Sequence, residues 1–367
     1  MMATTRRQFV KAAAVLGSGL TLCGAAPSPK RLLILGGTGF IGPNMVRYAV
    51  ARGHQVTIFT RGRTKSDIPG VEHLIGDRND DHSALEGRTW DVVLDNNSRD
   101  YRWVRTSTEL LKSAARHYIL ISSISVYDNE MLGYDHKDTV LASPVIGESF
   151  RRVGPPADWV EGDEAPYGFT KALAEDAVHQ VFAGRSTIVR PGLIVGPGDP
   201  TDRFTYWPVR LDEGGEVLAP GNPNHSNQII DQRDLTEWIV RLAEEETRGD
   251  FNATGPADRL SMGSMLEQIG GAIETPHSLT WVSEDFLQKQ DVAPWTDLPT
   301  WIPGDPLSYV NVSKATAAGL SHRSIATIAR DTLEWDKTRP AEERQNRQFG
   351  MSRARESELL AAWHENE

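Results

Sequence analysis

Three side chains have the types and spacing to move a proton onto or off a reacting oxygen. Tyr167 and Lys171 stand four residues apart in Pro166-Tyr167-Gly168-Phe169-Thr170-Lys171, which runs on as a helix through Ala172, Leu173, Ala174 and Ala177. At that spacing both side chains fall on one helix face, one turn apart. An isolated phenol, with an ordinary pKa of about 10, is a poor base near neutrality, and a neighbouring ammonium stabilises the phenolate. Ser123, in Ser122-Ser123-Ile124-Ser125-Val126-Tyr127, would give a second hydrogen bond to the reacting oxygen. Lys171 would also hold the ribose of a nicotinamide nucleotide. Ser122 and Ser125 read as hydroxyls that satisfy backbone groups at a strand end.

A second stretch offers a place for that nucleotide. Arg31 to Gly42 (RLLILGGTGFIG) reads as buried strand, tight turn and helix, the helix continuing through Met45, Val46, Tyr48, Ala49 and Val50. A pyrophosphate must approach bare backbone N–H groups at a helix N-terminus, and a Cβ would block that approach. Gly36, Gly37, Thr38, Gly39, Phe40, Ile41 and Gly42 are therefore expected to cradle a dinucleotide. Gly42 would let helix and strand pack closely, and Pro43 suits a first helical turn.

The next strand ends Thr60-Arg61-Gly62-Arg63, with no acid for the ribose hydroxyls. Arg61 and Arg63 thus favour NADP, with NAD as the alternative and solvated loop charges as the competing role. Asp77, after Gly76, can accept from an adenine amino group or serve as a turn residue. Asn96, at the end of the strand Trp90 to Asp95, is expected near the cofactor at the same sheet edge.

Strands are predicted at His54 to Thr60, Val71 to Ile75, Trp90 to Asp95, His117 to Ser122, Ser186 to Pro191 and Phe251 to Gly255, with a helix over Val104 to Arg116. Strands alternating with helices predict an α/β fold, a doubly wound parallel sheet of Rossmann type, with a smaller C-terminal substrate domain. The expected organisation is a leader over 1–26, a dinucleotide-binding domain over 30–200 with a return segment at 228–255, a substrate lobe from 201–227 and 256–340, and a helical tail over 341–367.

These motifs resemble the short-chain dehydrogenase/reductase superfamily, in particular its extended branch of epimerases, dehydratases and reductases. The resemblance rests on GGTGFIG (Gly36 to Gly42), GD (Gly76, Asp77), SSISVY (Ser122 to Tyr127), PYGFTK (Pro166 to Lys171) and RPGLIVGP (Arg190 to Pro197), and covers about residues 31 to 240. It implies that Tyr167 is the general acid/base, Lys171 its partner and Ser123 the substrate-orienting hydroxyl, and it adds Pro191 to the cofactor contacts. Chloroplast RNA-binding relatives share the general fold, and some have lost the tyrosine and lysine that this chain keeps. One departure is the stretch of 38 residues between Tyr127 and Pro166, a length that suits a lid.

Where extended-branch enzymes begin their substrate domain, this chain has Thr201-Asp202-Arg203-Phe204-Thr205-Tyr206-Trp207. Arg203 and Tyr206 are the preferred contacts for a sugar-like ring, with core packing as the competitor. Trp295 and Trp301 either wall the cleft or pack beneath a loop. Asp231, Arg233 and Asp234 are expected to hold the lobes together, or Asp234 to cap a helix. The tail places Leu359, Leu360 and Trp363 on one helical face, for docking on its own subunit or in a homodimer.

The formal net charge of -11 becomes -14 once Arg6, Arg7 and Lys11 are set aside. Such a surface repels nucleic acid and anionic membranes and leaves small molecules as the expected partners. Thr5-Arg6-Arg7-Gln8-Phe9-Val10-Lys11, followed by an uncharged run from Ala12 to Ala26, resembles a twin-arginine signal. It predicts an export translocase as partner and a periplasmic protein without stable membrane insertion. The one cysteine, Cys23, lies in this segment, so disulfides and thiolate metal sites are excluded beyond it, and the ten histidines show no metal-ligand spacing.

Overall fold

The computed structural model describes residues 28–128, 145–303 and 309–366. The leader and 129–144, part of the stretch expected as a lid, lie outside these residues. Strands β1 (Arg31–Leu35), β2 (Gln55–Thr60), β3 (Glu72–Ile75), β4 (Trp90–Asp95) and β5 (Ala115–Ile121) come first, with helices α1 (Gly42–Ala51) and α2 (Tyr101–Leu111) among them. The short β6 (Val145–Ile146), α3 (Tyr167–Val181), β7 (Ser186–Pro191) and β8 (Leu193–Val195) follow. After them come α4 (Tyr206–Asp212), β9 (Gly215–Pro220), β10 (Ser226–Asn227), β11 (Ile229–Asp231), α5 (Gln232–Glu245) and β12 (Gly249–Ala253). The chain ends with β13 (Leu260–Ser261), α6 (Met262–Gly270), β14 (His277–Val282), α7 (Glu284–Lys289), β15 (Tyr309–Val310), α8 (Ser313–Ala317), α9 (Ile325–Lys337), α10 (Ala341–Gln345) and α11 (Arg353–His364).

Seven strands form one parallel sheet in the order β12-β7-β5-β4-β1-β2-β3. Its strands are apolar on both faces because helices cover both. Leu32, Ile34, Val92, Leu94, Ile119 and Ile121 point to the α1 and α5 side, and Leu33, Leu35, Val93, Tyr118 and Leu120 to the α2 and α3 side. The strand order reverses between β1 and β4, where Asn96 N donates to Leu35 O at 3.1 Å. Ligands bind at such a switch point, beyond the C-terminal strand ends.

Helix α2 differs from the stretch predicted at Val104 to Arg116. It starts at Tyr101 because the Asp100 side chain accepts from Arg102 N, and it stops at Leu111 because Ala115 pairs with Trp90 in the sheet. The tail also corrects its expected boundary. Met351, Leu359 and Leu360 belong to the second core with Phe204, Trp207, Leu218 and Trp301, so the tail packs into that core and is not a separate segment. Buried Arg210 of α4 donates to Glu356 of α11 at 2.6 Å, and Glu356 also accepts from Leu218 N. Ala315 and Leu320 instead pack into the α1 and α5 side of the sheet.

Contacts expected between the lobes are present. Asp231 caps α5 through Arg233 N, Arg233 reaches Asp331 on α9 at 2.5 Å, and Asp234 accepts from Arg323 N at 2.7 Å. No helix among the described residues is long and apolar enough to cross a membrane.

His117 on β5 carries a pH prediction. Thr187 Oγ1 gives its one proton to the Thr247 carbonyl at 2.5 Å, so it accepts from His117 Nε2 at 2.8 Å. Nδ1 is left buried without a partner, and burial pushes the imidazole's pKa down to about 4. The unfolded chain takes up this proton near pH 6.5 and the fold only near 4, so the contribution is complete above 6.5 and is lost as the pH falls toward 4. Urea unfolding at about pH 7.5 and about pH 4.5 should show the wild type losing about 3 kcal/mol more than His117→Gln. Equal losses in the two proteins would remove His117 as the cause.

Candidate active site at the sheet's switch point

The glycine turn sits at the C-terminal end of β1. Gly36 and Gly37 have φ of +113° and +101°, a region that glycine enters without a Cβ penalty. A Cβ on Gly42 would stand 2.5 Å from the Gly37 backbone, so this glycine sets how closely α1 meets the turn. Gly39 has nothing within 4 Å of an added Cβ. Its open side, at the start of α1, is where a pyrophosphate fits. Asn96 leans over Gly36, with 3.6 Å between its Cβ and an added glycine Cβ, and its Oδ1 is buried without a partner. An open backbone cradle beside an orphaned amide oxygen fits a dinucleotide. Gly36 to Gly42 and Asn96 would hold it.

Helix α3 brings the phenol and the ammonium together. Tyr167 is 57% exposed at its first residue, and Lys171 is buried one turn below, with Nζ 5.4 Å from the Tyr167 ring centroid. Gly168 packs so closely that a Cβ there would overlap the Ser125 carbonyl oxygen, which seats α3 on the Ser123 turn. Ser123 caps that turn: its Oγ accepts from Ser125 N and donates to Ser125 Oγ, both at 3.1 Å. Ser122 departs from the expected backbone role. Its hydroxyl donates to the Glu175 carboxylate at 2.6 Å.

Sequence reasoning missed what lies beneath this pair. Lys171 Nζ donates to Ser98 Oγ at 2.6 Å, and Ser98 Oγ donates to Ile121 O at 2.6 Å. Burial pushes the Lys171 ammonium down to about 8, against the opposing pull of Asp95 and Glu175. Asp95 is fully buried and receives both Arg78 Nη groups, at 2.7 and 2.8 Å, and the Tyr118 hydroxyl at 2.6 Å. Glu175 receives Arg190 through Nε and Nη2, at 2.9 and 2.7 Å, and Arg152 at 3.1 Å. The one signal available was Glu175 itself, four residues after Lys171 on the same helix face.

The remaining expected residues fall into place unequally. Arg61 and Arg63 are exposed beyond β2 and, among the described residues, have no ion-pair partner. Asp77 accepts from Asn79 N and Nδ2 at 3.0 and 2.7 Å, the turn role that competed with adenine binding. Pro191 closes β7, buried opposite Ala253. Arg203 is part-buried, its guanidinium carbon 5.4 Å from the Trp295 ring centroid and 5.7 Å from that of Phe349. Tyr206 is corrected as a substrate contact. It is 5% exposed, packs on Trp207 in the second core, and lies so close beneath Gly350 that no cleft reaches it. Trp301 is likewise core, at 1% exposed.

A doubly wound sheet with a glycine turn at its switch point and a tyrosine–lysine pair on the adjoining helix defines a dinucleotide-binding α/β protein. The chain belongs to the NAD dependent epimerase/dehydratase family, whose profile it matches over residues 32–254.

Among curated relatives, it is 29% identical over 251 residues to the chloroplast stem-loop binding protein of 41 kDa b of Arabidopsis thaliana, covering 63% of this chain and 60% of that one. It is 30% identical over 176 residues to the 2-alkyl-3-oxoalkanoate reductase of Stenotrophomonas maltophilia, covering 46% of this chain and 52% of the relative. The chain thus spans little more than half the length of these two relatives. UDP-glucuronic acid 4-epimerase from Bacillus cereus, solved in complex with NAD, shares the fold at a TM-score of 0.57 and 14% identity, covering 83% of this chain and 96% of that one.

Two glycines should separate binding from folding. Gly39→Ala should leave the melting temperature unchanged and weaken NAD(P) binding about tenfold or more, because its Cβ enters only the open cradle. Gly42→Ala should lose about 1–3 kcal/mol of stability, because its Cβ meets backbone. Calorimetric titration with nucleotide and thermal melts of both variants check this, and a destabilised Gly39→Ala would contradict it.

Proposed function

We propose that the protein is an oxidoreductase or epimerase of a secondary alcohol, sugar-like in character, working with a tightly held NADP, with NAD as the alternative. The observation that carries this reading is the exposed Tyr167 phenol above the buried Lys171 ammonium, on a helix seated against the Ser123 turn. Tyr167 takes the proton of the substrate hydroxyl as the carbon is oxidised and returns it on reduction. Lys171 stabilises the phenolate that accepts this proton, and Ser123 orients the substrate oxygen. The nicotinamide, when bound, supplies an acceptor and donor of hydride. Arg61 and Arg63, exposed at the end of β2 and without an ion-pair partner among the described residues, support a nucleotide with a 2′-phosphate.

The leader supports export by the twin-arginine translocase into the periplasm, a route that carries proteins already folded around their cofactors. NADP is not regenerated there by ordinary means, so the enzyme keeps its nucleotide and closes its own redox cycle. Epimerisation does this, because hydride removed in one step returns in the next. Alternating turnover of two substrates does so as well.

The plant relative's name favours a second reading, a nucleotide-binding or RNA-binding protein on the same fold. The acidic chain beyond the leader argues against RNA. Tyr167→Phe separates the two readings. Turnover of a polyol panel, followed by cofactor absorbance, should fall about 100-fold or more while the nucleotide recovered from purified protein stays the same. Unchanged turnover, or a protein purified empty that exchanges nucleotide freely, would favour the binding reading.

A further inference from the structure

The loop that leaves β8 holds a guanidinium whose forked end has no hydrogen-bond partner among the described residues. The loop passes the glycine turn, where an added Gly198 Cβ lies 3.8 Å from Phe40. Arg203 follows, with its guanidinium carbon 5.4 Å from the centroid of the Trp295 ring and 5.7 Å from that of Phe349. Its Nε donates to Thr201 Oγ1 at 3.0 Å, and that hydroxyl donates to Asp199 Oδ1 at 2.7 Å. Among the described residues, neither Nη group has a hydrogen-bond partner or a paired carboxylate.

The buried arginines are held differently. Arg78, Arg190 and Arg210 each hold a buried carboxylate. The acid next to Arg203 is also withheld from it: Asp202, with φ of +58°, is taken by Arg339 at 2.5 Å and Arg347 at 3.2 Å, which share Asp336 as well. Asp199 is buried and shares its Oδ1 between Thr201 N and Oγ1. The backbone beside the two rings is joined by a hydrogen bond, and one of the rings stands at a φ that is rare for its residue type. Trp295 has φ of +64°, and Gly350, with φ of +107°, donates to Thr296 O at 2.8 Å. The surrounding structure therefore fixes a planar cation and leaves its forked end free.

We propose that Arg203 receives a carboxylate of the substrate, so that the alcohol this enzyme works on is a polyhydroxy acid. With two aromatic rings beside it, the guanidinium keeps its Nη groups open, and a planar carboxylate meets the paired Nη groups with two parallel hydrogen bonds, which a hydroxyl cannot do. Phe349 and the arginines that restrain Asp202 come from residues 339–349, so the segment beyond the family profile contributes to the surroundings of Arg203. The inference rests on the secondary-alcohol reading above and names its substrate class.

The test is calorimetric titration of the nucleotide-loaded protein with D-gluconate and with D-glucitol, which carries CH2OH in place of the carboxylate. Gluconate should bind about tenfold or more tightly than glucitol. Arg203→Gln should abolish that preference. Arg203→Lys, which keeps the charge and loses the fork, should reduce it severalfold and serves where the glutamine variant fails to fold. Equal binding of the two probes, binding of neither, or an undiminished preference in folded Arg203→Gln would overturn the assignment. Tyr167→Phe should keep the preference. Turnover that survives Tyr167→Phe would remove the catalytic reading and leave the Arg203 measurement as it stands.

Discussion

An ammonium enclosed at the edge of a parallel sheet is the constraint around which this fold is arranged. Lys171 cannot reach bulk water, so the protein supplies what water would: a hydroxyl acceptor in Ser98 and the fields of Asp95 and Glu175. Each of those carboxylates is itself buried and must be compensated. Arg78 meets Asp95, while Arg190 and Arg152 meet Glu175. The result is an alternation of positive and negative groups running from β3 across β4 and α3 to β7. Removing one member leaves another charge buried alone, which costs more than the pair contributes. That dependence explains why the strand ends carrying Asp95, Ser122 and Arg190 are fixed in register while the phenol above them stays accessible.

The second lobe uses the same device for another purpose. Its buried pairs, Arg210 with Glu356 and the Asp202, Asp336, Arg339 and Arg347 cluster, join α4 and the loop before it to the last stretch of chain. The tail is thereby part of the lobe's core. It also carries Phe349 to within 5.7 Å of the Arg203 guanidinium, which lies 5.4 Å from Trp295. In both lobes the paired arginines build the scaffold.

What could be read from the chain follows the range of each signal. The glycine turn, the apolar strands and the four-residue spacing of Tyr167 and Lys171 are local patterns, and the sheet and site geometry agree with them. Tyr206 looked like a cleft aromatic, yet Gly350 and Trp207 enclose it, and neither contact has a signature in its own neighbourhood. The predicted end of α2 overran because pairing with Trp90 draws Ala115 into the sheet, a preference invisible to helical periodicity. Asp77 closes a turn through Asn79, as one of its two expected roles requires.

By itself the sequence determined the type of fold, the position of the dinucleotide turn and the tyrosine–lysine pair, because periodicity, glycine placement and helical spacing act over a few residues. The tertiary structure alone decided what those groups stand against. Ser98 meets Lys171 across 73 residues, and Phe349 meets Arg203 across the whole second lobe. Burial and charge compensation depend on which distant side chains the sheet and lobe bring within a few ångströms, and no local pattern encodes that.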